Sequence, residues 1–439
     1  MAPTHPGRAA TSAGWNGHSH GSSDYRKLLA GLFFAGIATF AQLYSPQAVL
    51  AQIADDVGIS AADAALVISA STLGLAIGVI PWSLVADRLG RVRAMSIAVI
   101  AATVFGLLVP FAPTFSLLLT GRFVEGLMVG GVPAIAIAYL SEEIEPRHAA
   151  RAAGTYVAGT TIGGLLGRIL AGPVTELTNW RVGVFTVGVL CAFAAVLFIT
   201  LVPAPRGFVP RGFIPGGFLA GGFLSNGFVR RPFQPRRASK PGTDLSLAVL
   251  LRANLQSPRL LALYLQGFLL MGGFVALYNY LGFRFADGPF NLPQALISLV
   301  FVAYLAGTWS SVQAGILVAR LGRWSVLLSS LACMTAGVLL TLSTVLVIVL
   351  FGVLLATSGF FAAHAVASGW TGAEAKVGRA QASSLYNLSY YAGSSLFGWL
   401  GGMFFVRWGW GGTVGMVAGL AVLAAAVAVV ALRPQQRQS

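Results

Sequence analysis

Twelve long apolar runs set the terms for this chain, lying at about 27–50, 63–86, 94–112, 115–140, 151–173, 180–202, 258–281, 293–318, 324–343, 345–368, 380–405 and 410–432. A bilayer core about 30 Å thick takes roughly 20 apolar residues as a helix. The runs are continuous rather than alternating, so helices are expected and a barrel is not. Only 9% of residues are charged, against about a quarter in soluble domains, and mean hydropathy is +0.79. The net charge of +15 lies in loops and one linker between the runs, which argues against a nucleic-acid partner. Cys191 and Cys333 fall inside apolar runs and read as small hydrophobes, not as a disulfide or metal ligands.

Most connections are short, but 203–257 is long and splits the runs six and six. Inside it Phe208, Phe213, Phe218, Phe223, Phe228 and Phe233 recur every five residues. That period is neither helical nor extended. The segment therefore reads as a basic, low-complexity linker resting near a membrane surface. Residues 1–26 read as a disordered tail without the apolar core of a secretory signal. The expected units are thus the tail 1–26, a first half 27–202, the linker 203–257, a second half 258–432 and a short tail 433–439.

Orientation follows from Lys and Arg in the short loops. One side holds Arg88, Arg91, Arg93, Arg147, Arg151, Arg320, Arg323, Lys376 and Arg379, which is nine; the other holds Arg181, Arg284 and Arg407, which is three. Both termini and the linker are therefore expected in the cytoplasm, with the chain in the plasma or inner membrane. The halves also echo each other. Gly163-Gly164-Leu165-Leu166-Gly167 matches Ser394-Ser395-Leu396-Phe397-Gly398 at an offset of 231, and Arg91 matches Arg323 at 232. Six runs repeated in the same direction is the pattern of two bundles that rock about a central site.

Ser83-Leu84-Val85-Ala86-Asp87-Arg88-Leu89-Gly90-Arg91 resembles the loop-two motif of the major facilitator superfamily. Arg122-Phe123-Val124-Glu125-Gly126 resembles the arginine motif of its drug:H+ antiporter branch, and the glycine-rich fifth run resembles that branch's antiporter motif. The likeness is to twelve-span bacterial sugar and drug efflux permeases. It implies an all-α membrane protein with twelve helices in two pseudo-symmetric six-helix bundles. It also implies a secondary active transporter, not an enzyme, that exports a small sugar-like or amphipathic drug-like compound. No cofactor is implied beyond protons as the coupling ion. A proton symporter or facilitator for uptake keeps the same fold; a membrane enzyme or scaffold is the rival outside it. No Walker loop, paired His or Cys ligand set, or Ser/His/Asp constellation stands in the sequence. The expected partners are a small-molecule substrate and membrane lipid, for a monomer.

The resemblance assigns a cytoplasmic gate to Asp87, Arg88, Gly90 and Arg91. The acid at Asp87 faces the start of the eleventh run, near 380, when that side is shut. Ser83 departs from the family's glycine, and Ala319 replaces the acid in the second copy, so the latch belongs to the first half alone.

Arg122, Glu125 and Arg168 are charges inside the spans, where each costs at least roughly 2.5–3.5 kcal/mol unless it faces protein or water. Helix rise places Arg122 and Arg168 at similar depth on consecutive antiparallel runs, so all three are expected to meet. Glu125 is the proton-carrying candidate. An arginine partner holds a carboxylate ionised, and dry surroundings without one favour its protonated form. The other reading is a static ion pair that fixes packing.

Gly126 and Gly130, and Gly159, Gly163 and Gly167, recur every four residues and let helix backbones approach closely. Two readings of this seam are open: packing within a bundle, or a sliding surface between bundles. In the resembled family the first, fourth, seventh and tenth runs line the cavity. Here they and the eleventh offer Gln42, Tyr44, Gln47, Gln266, Tyr278, Asn279, His364, Tyr386, Asn387 and Tyr390, beside Arg122 and Glu125. Amides and aromatics with few charges suit a neutral or amphipathic ligand.

Overall fold

The computed structural model describes residues 17–207 and 247–433. The Phe repeat of 208–233 lies outside them. Ser22 caps α1 (Ser23–Tyr44), its hydroxyl accepting from the Tyr25 N–H. A 3-10 turn at Ser45–Val49 follows, because Pro46 has no N–H to continue the helical ladder. The first span then resumes as α2 (Leu50–Val57). After it come α3 (Ala61–Leu89) and α4 (Arg91–Leu108), joined by Gly90 alone. Gly90 has φ 92°, and Gly322, between α12 (Ala303–Leu321) and α13 (Arg323–Leu340), has φ 81°. Only glycine adopts that backbone freely, and the two glycines stand 232 residues apart, the offset of the repeat.

The fourth span breaks at 130–132 into α5 (Phe115–Val129) and α6 (Pro133–Glu143). Two long helices, α7 (Pro146–Leu177) and α8 (Trp180–Leu201), complete the first bundle. The second contains α10 (Pro258–Ala286), a short α11 (Gln294–Leu299) that leads into α12, then α13, α14 (Leu346–Glu374) and α15 (Arg379–Ala431). Ten helical stretches among the described residues are long and apolar enough to cross a membrane. The broken α5–α6 pair makes an eleventh crossing. α15, at 53 residues, would be about 80 Å long if straight. It turns at Trp408 and Gly409, whose backbone angles are not helical, and so crosses twice.

Two expectations about the connecting segments need correction. The tail is ordered from Gly17: the His18 N–H donates to Glu143 O at 2.7 Å. The fully buried Glu143 carboxylate in turn accepts the N–H groups of Arg206 (2.7 Å) and Gly207 (2.6 Å). A short strap and the start of the linker thus share one anchor. The linker itself is helical over α9 (Leu247–Leu255), where Asn254 Nδ2 donates to Gly378 O at 3.2 Å.

The glycine seam lies within the first bundle, not between bundles. A Cβ on Gly126 would strike Ser71 O of α3, and one on Gly130 would come 2.7 Å from Leu75 O. Gly159 and Gly167 face Phe33 O and Ala41 O of α1, and Gly163 lies against Ile37 Cα. Gly393 of α15 meets Phe268 O of α10 in the corresponding way.

The bundles meet along one end. Among the described residues, five hydrogen bonds cross between them. Gln47 pairs with Asn279 (2.7 Å), Gln52 with Gln294 (2.7 Å), and Gln294 with Ala48 O (2.5 Å). The Ala295 N–H meets Glu176 (2.6 Å), and Ser395 meets Ser69 O (2.9 Å). All five lie in the half away from the described termini. Toward the termini face, Leu73, Ile77, Ile80 and Leu84 of α3 are exposed.

Candidate transport site

Between the bundles lies a cavity of about 510 Å³, with walls from α1, α7, α10, α12, α14 and α15. Of the expected lining residues, Tyr44, His364, Asn387 and Tyr390 face it. Tyr386 is buried behind His364, with its hydroxyl 3.0 Å from Nδ1. The others do not line it. Gln266 donates to Ala424 O at 2.7 Å inside the second bundle, and the Tyr278 hydroxyl pairs with Thr357 Oγ1 at 2.7 Å. Gln42 is buried against Gly106. Gln47 and Asn279 form the bridge at the closed end.

Among the described residues, none of the fourth span lines the wall, contrary to expectation; α7 and α12 take part instead. α12 presents Tyr304, Thr308 and Ser311. Their spacing of four and three places them on one helix face. That polar stripe within an apolar run was the available signal, and it was missed.

Arg122 and Glu125 are both fully buried in the first bundle, with Arg122 Nη1 2.6 Å from Glu125 Oε2. The guanidinium also binds Val67 O (3.2 Å), Gln42 O (3.2 Å) and Leu43 O (2.5 Å). Pro46 explains part of this arrangement. It cannot donate to the Gln42 carbonyl, so the break in the first span leaves an acceptor that Arg122 and the Ser45 hydroxyl (3.3 Å) share. The arginine thereby ties α5 to α1 and α3. Glu125 Oε1 has no hydrogen-bond partner among the described residues, nor has Gln42 Oε1. Both lie within 3.4 Å of where a Cβ on Gly106 would stand, so glycine there makes room for two acceptor oxygens.

Arg168 does not join that pair. Buried at the closed end of the cavity, it forms no ion pair among the described residues. Its Nε donates to Gln47 Oε1 (2.8 Å) and its Nη1 to Gly164 O (2.7 Å). Three rings surround the guanidinium: Tyr44 at 4.4 Å, Tyr304 at 4.9 Å and Phe301 at 5.0 Å. Each such contact contributes about 0.5–2 kcal/mol. Because arginine only donates, the Gln47 oxygen must face it. The Gln47 amide nitrogen is then left for the Asn279 oxygen. One charge in α7 thus orders the amide bridge that joins the bundles. Gln47 and Asn279 are themselves 232 residues apart, so equivalent positions of the two halves grip each other.

At the termini face, Asp87 accepts from Arg91 Nη1 at 2.8 Å, and Arg91 Nη2 binds Glu142 of α6 at 2.9 Å. Glu142 was not anticipated. The Asp87 side chain is 53% exposed and pairs, among the described residues, with Arg91 alone. Arg88 is exposed. Among the described residues, no hydrogen bond or ion pair links the start of α15 to Asp87.

Residues 29–289 match the family model described as Major Facilitator Superfamily. The chain belongs to that superfamily. It is 35% identical over 404 residues to the MFS-type transporter YybF of Bacillus subtilis, covering 92% of this chain and 93% of that one. It is 37% identical over 404 residues to the inner membrane transport protein YnfM of Escherichia coli, covering 92% and 90%. Its fold also matches that of a bacterial homologue of the human lysosomal transporter Spinster, solved inward-facing and unoccupied. The TM-score is 0.71 at 15% identity, over 94% of this chain and 96% of the other. The protein is therefore a multi-pass membrane transporter rather than an enzyme.

Proposed function

We propose that this transporter exports a small organic compound in exchange for protons, and that Glu125 is where the proton binds. The observation that carries this is a buried carboxylate with one oxygen on Arg122 and the other without a partner. A proton on Oε1 turns an acceptor into a donor, with the unpartnered Gln42 oxygen beside the same glycine to receive it. Arg122 competes with that proton for the carboxylate. A change in the fit of α1 against α5 tips the balance between them, because Arg122 also grips the α1 carbonyls. The loop-charge asymmetry supports a cytoplasmic termini face. The cavity then opens inward in this structure, as in the structural neighbour named inward-facing, and Asp87 is a latch released. Closing that end would bring α15 to Asp87 and part the Gln47–Asn279 bridge, for a monomer in the inner membrane. Flux into inside-out vesicles under an imposed pH gradient tests the coupling. Glu125→Gln should insert and fold but lose gradient-driven flux; unchanged flux would reject the role. Flux in the same direction as protons would mark a symporter instead, and indifference to the gradient a facilitator.

A further inference from the structure

Arg168 is the only Asp, Glu, Lys or Arg among the residues described as lining the cavity. Its guanidinium has five N–H donors. Nε and one hydrogen of Nη1 are used by Gln47 and Gly164, and the rest meet no acceptor among the described residues. The rings around it temper the charge, but a ring face accepts no strong hydrogen bond. Two of them, Phe301 and Tyr304, belong to the second bundle, so part of this shelter leaves when the bundles separate there. A neutral hydroxyl or carbonyl would meet these donors without supplying the opposite charge, and a cation would be repelled.

We propose that the cavity takes a small organic anion, its carboxylate on the Nη edge of Arg168 and its apolar body among the rings of Phe274, Phe360 and Tyr390. The guanidinium fork matches a carboxylate through two parallel N–H···O bonds between opposite charges, whereas a sugar hydroxyl supplies neither the matching pair of oxygens nor the charge. The substrate class thus moves from neutral to anionic. This rests on the cavity being the transport site proposed above.

Matched probes test it with the purified wild type in detergent, with no gradient: benzoate against benzamide, and phenylacetate against phenylacetamide. A ligand that binds the folded form raises its melting temperature. The acids should raise it in a dose-dependent way and the amides should not. Arg168→Gln should weaken the acid response by at least about tenfold, while Arg168→Lys should keep a reduced preference for acid over amide. Should Arg168→Gln fail to fold, the wild-type pairs and the lysine variant still decide. Equal responses to acid and amide, no response to either acid, or a folded glutamine variant with full acid response would each overturn the proposal. Acids that bind but are not moved across proteoliposomes would instead defeat the transport reading. Acid transport that ignores Glu125→Gln would defeat only the proton role.

Discussion

Asn279→Ala isolates the bridge between the bundles. In this structure the Asn279 side chain accepts from Gln47 Nε2 at 2.7 Å, and both residues are buried. Truncation leaves the Gln47 N–H group without its acceptor while the bundles touch. An unsatisfied buried polar group costs about 1–3 kcal/mol. Once the bundles part at that end, water reaches Gln47 and the cost disappears. Only this difference between states shifts the equilibrium. The ratio of parted to touching conformers at that face should therefore rise by about 5–150-fold. Spin labels report it, placed at Leu177→Cys and Leu296→Cys, both exposed at the closed end, with Cys191 and Cys333 replaced. The longer-distance population should grow in the Asn279→Ala background. Gln266→Ala serves as control, since that amide is equally buried but bonds within one bundle. An unchanged distance distribution, or an equal shift in the control, would refute the bridge as a determinant of state.

Three further outcomes are expected. Asp87→Asn should barely change the melting temperature, because its exposed pair with Arg91 contributes about 0–1 kcal/mol, yet flux should fall sharply if Asp87 latches the opposite conformation. Gly126→Ala should destabilise by about 1–3 kcal/mol by pressing a methyl onto Ser71 O, whereas Gly154→Ala, exposed inside α7 with nothing within 4 Å, should stabilise by about 0.5–1 kcal/mol in thermal unfolding. Burial holds His18 below its ordinary 6.5, against the pull of nearby Asp24. The released strap therefore takes up a proton more readily than the docked one, so docking is favoured at neutral pH and lost as pH falls below that value. Hydrogen exchange at the His18 amide, corrected for intrinsic rate, should quicken between pH 7.5 and 5.5; a flat profile would remove His18 from the strap's stability.

Much of the architecture was legible because hydrophobic length is a direct record of bilayer thickness, and because Gly90 and Gly322 repeat a backbone need that no other residue meets freely. The inside of the bundles was harder to read. Depth along a helix can be counted, and it placed Arg122 and Arg168 at similar heights. Rotation about the helix axis cannot be counted without knowing each neighbour, and it turned Arg168 toward the second bundle and Arg122 away from it. The same blindness assigned Gln266 to the cavity and passed over Thr308 and Ser311. The pairing of Glu142 with Arg91 was hidden for another reason: it joins residues 51 apart, through a break in the fourth span that only Pro133 hinted at.

The close glycine contacts have a mechanical consequence. Where a hydrogen atom is all that separates Gly126 from Ser71, or Gly159 from Phe33, there is no slack for one helix to creep along its neighbour. Sliding along those seams, α3 on α5 and α1 on α7, is therefore blocked. Movement is left to contacts without such a seam: the boundary of amides and rings between the bundles, and the fit of α1 against α5 around Arg122.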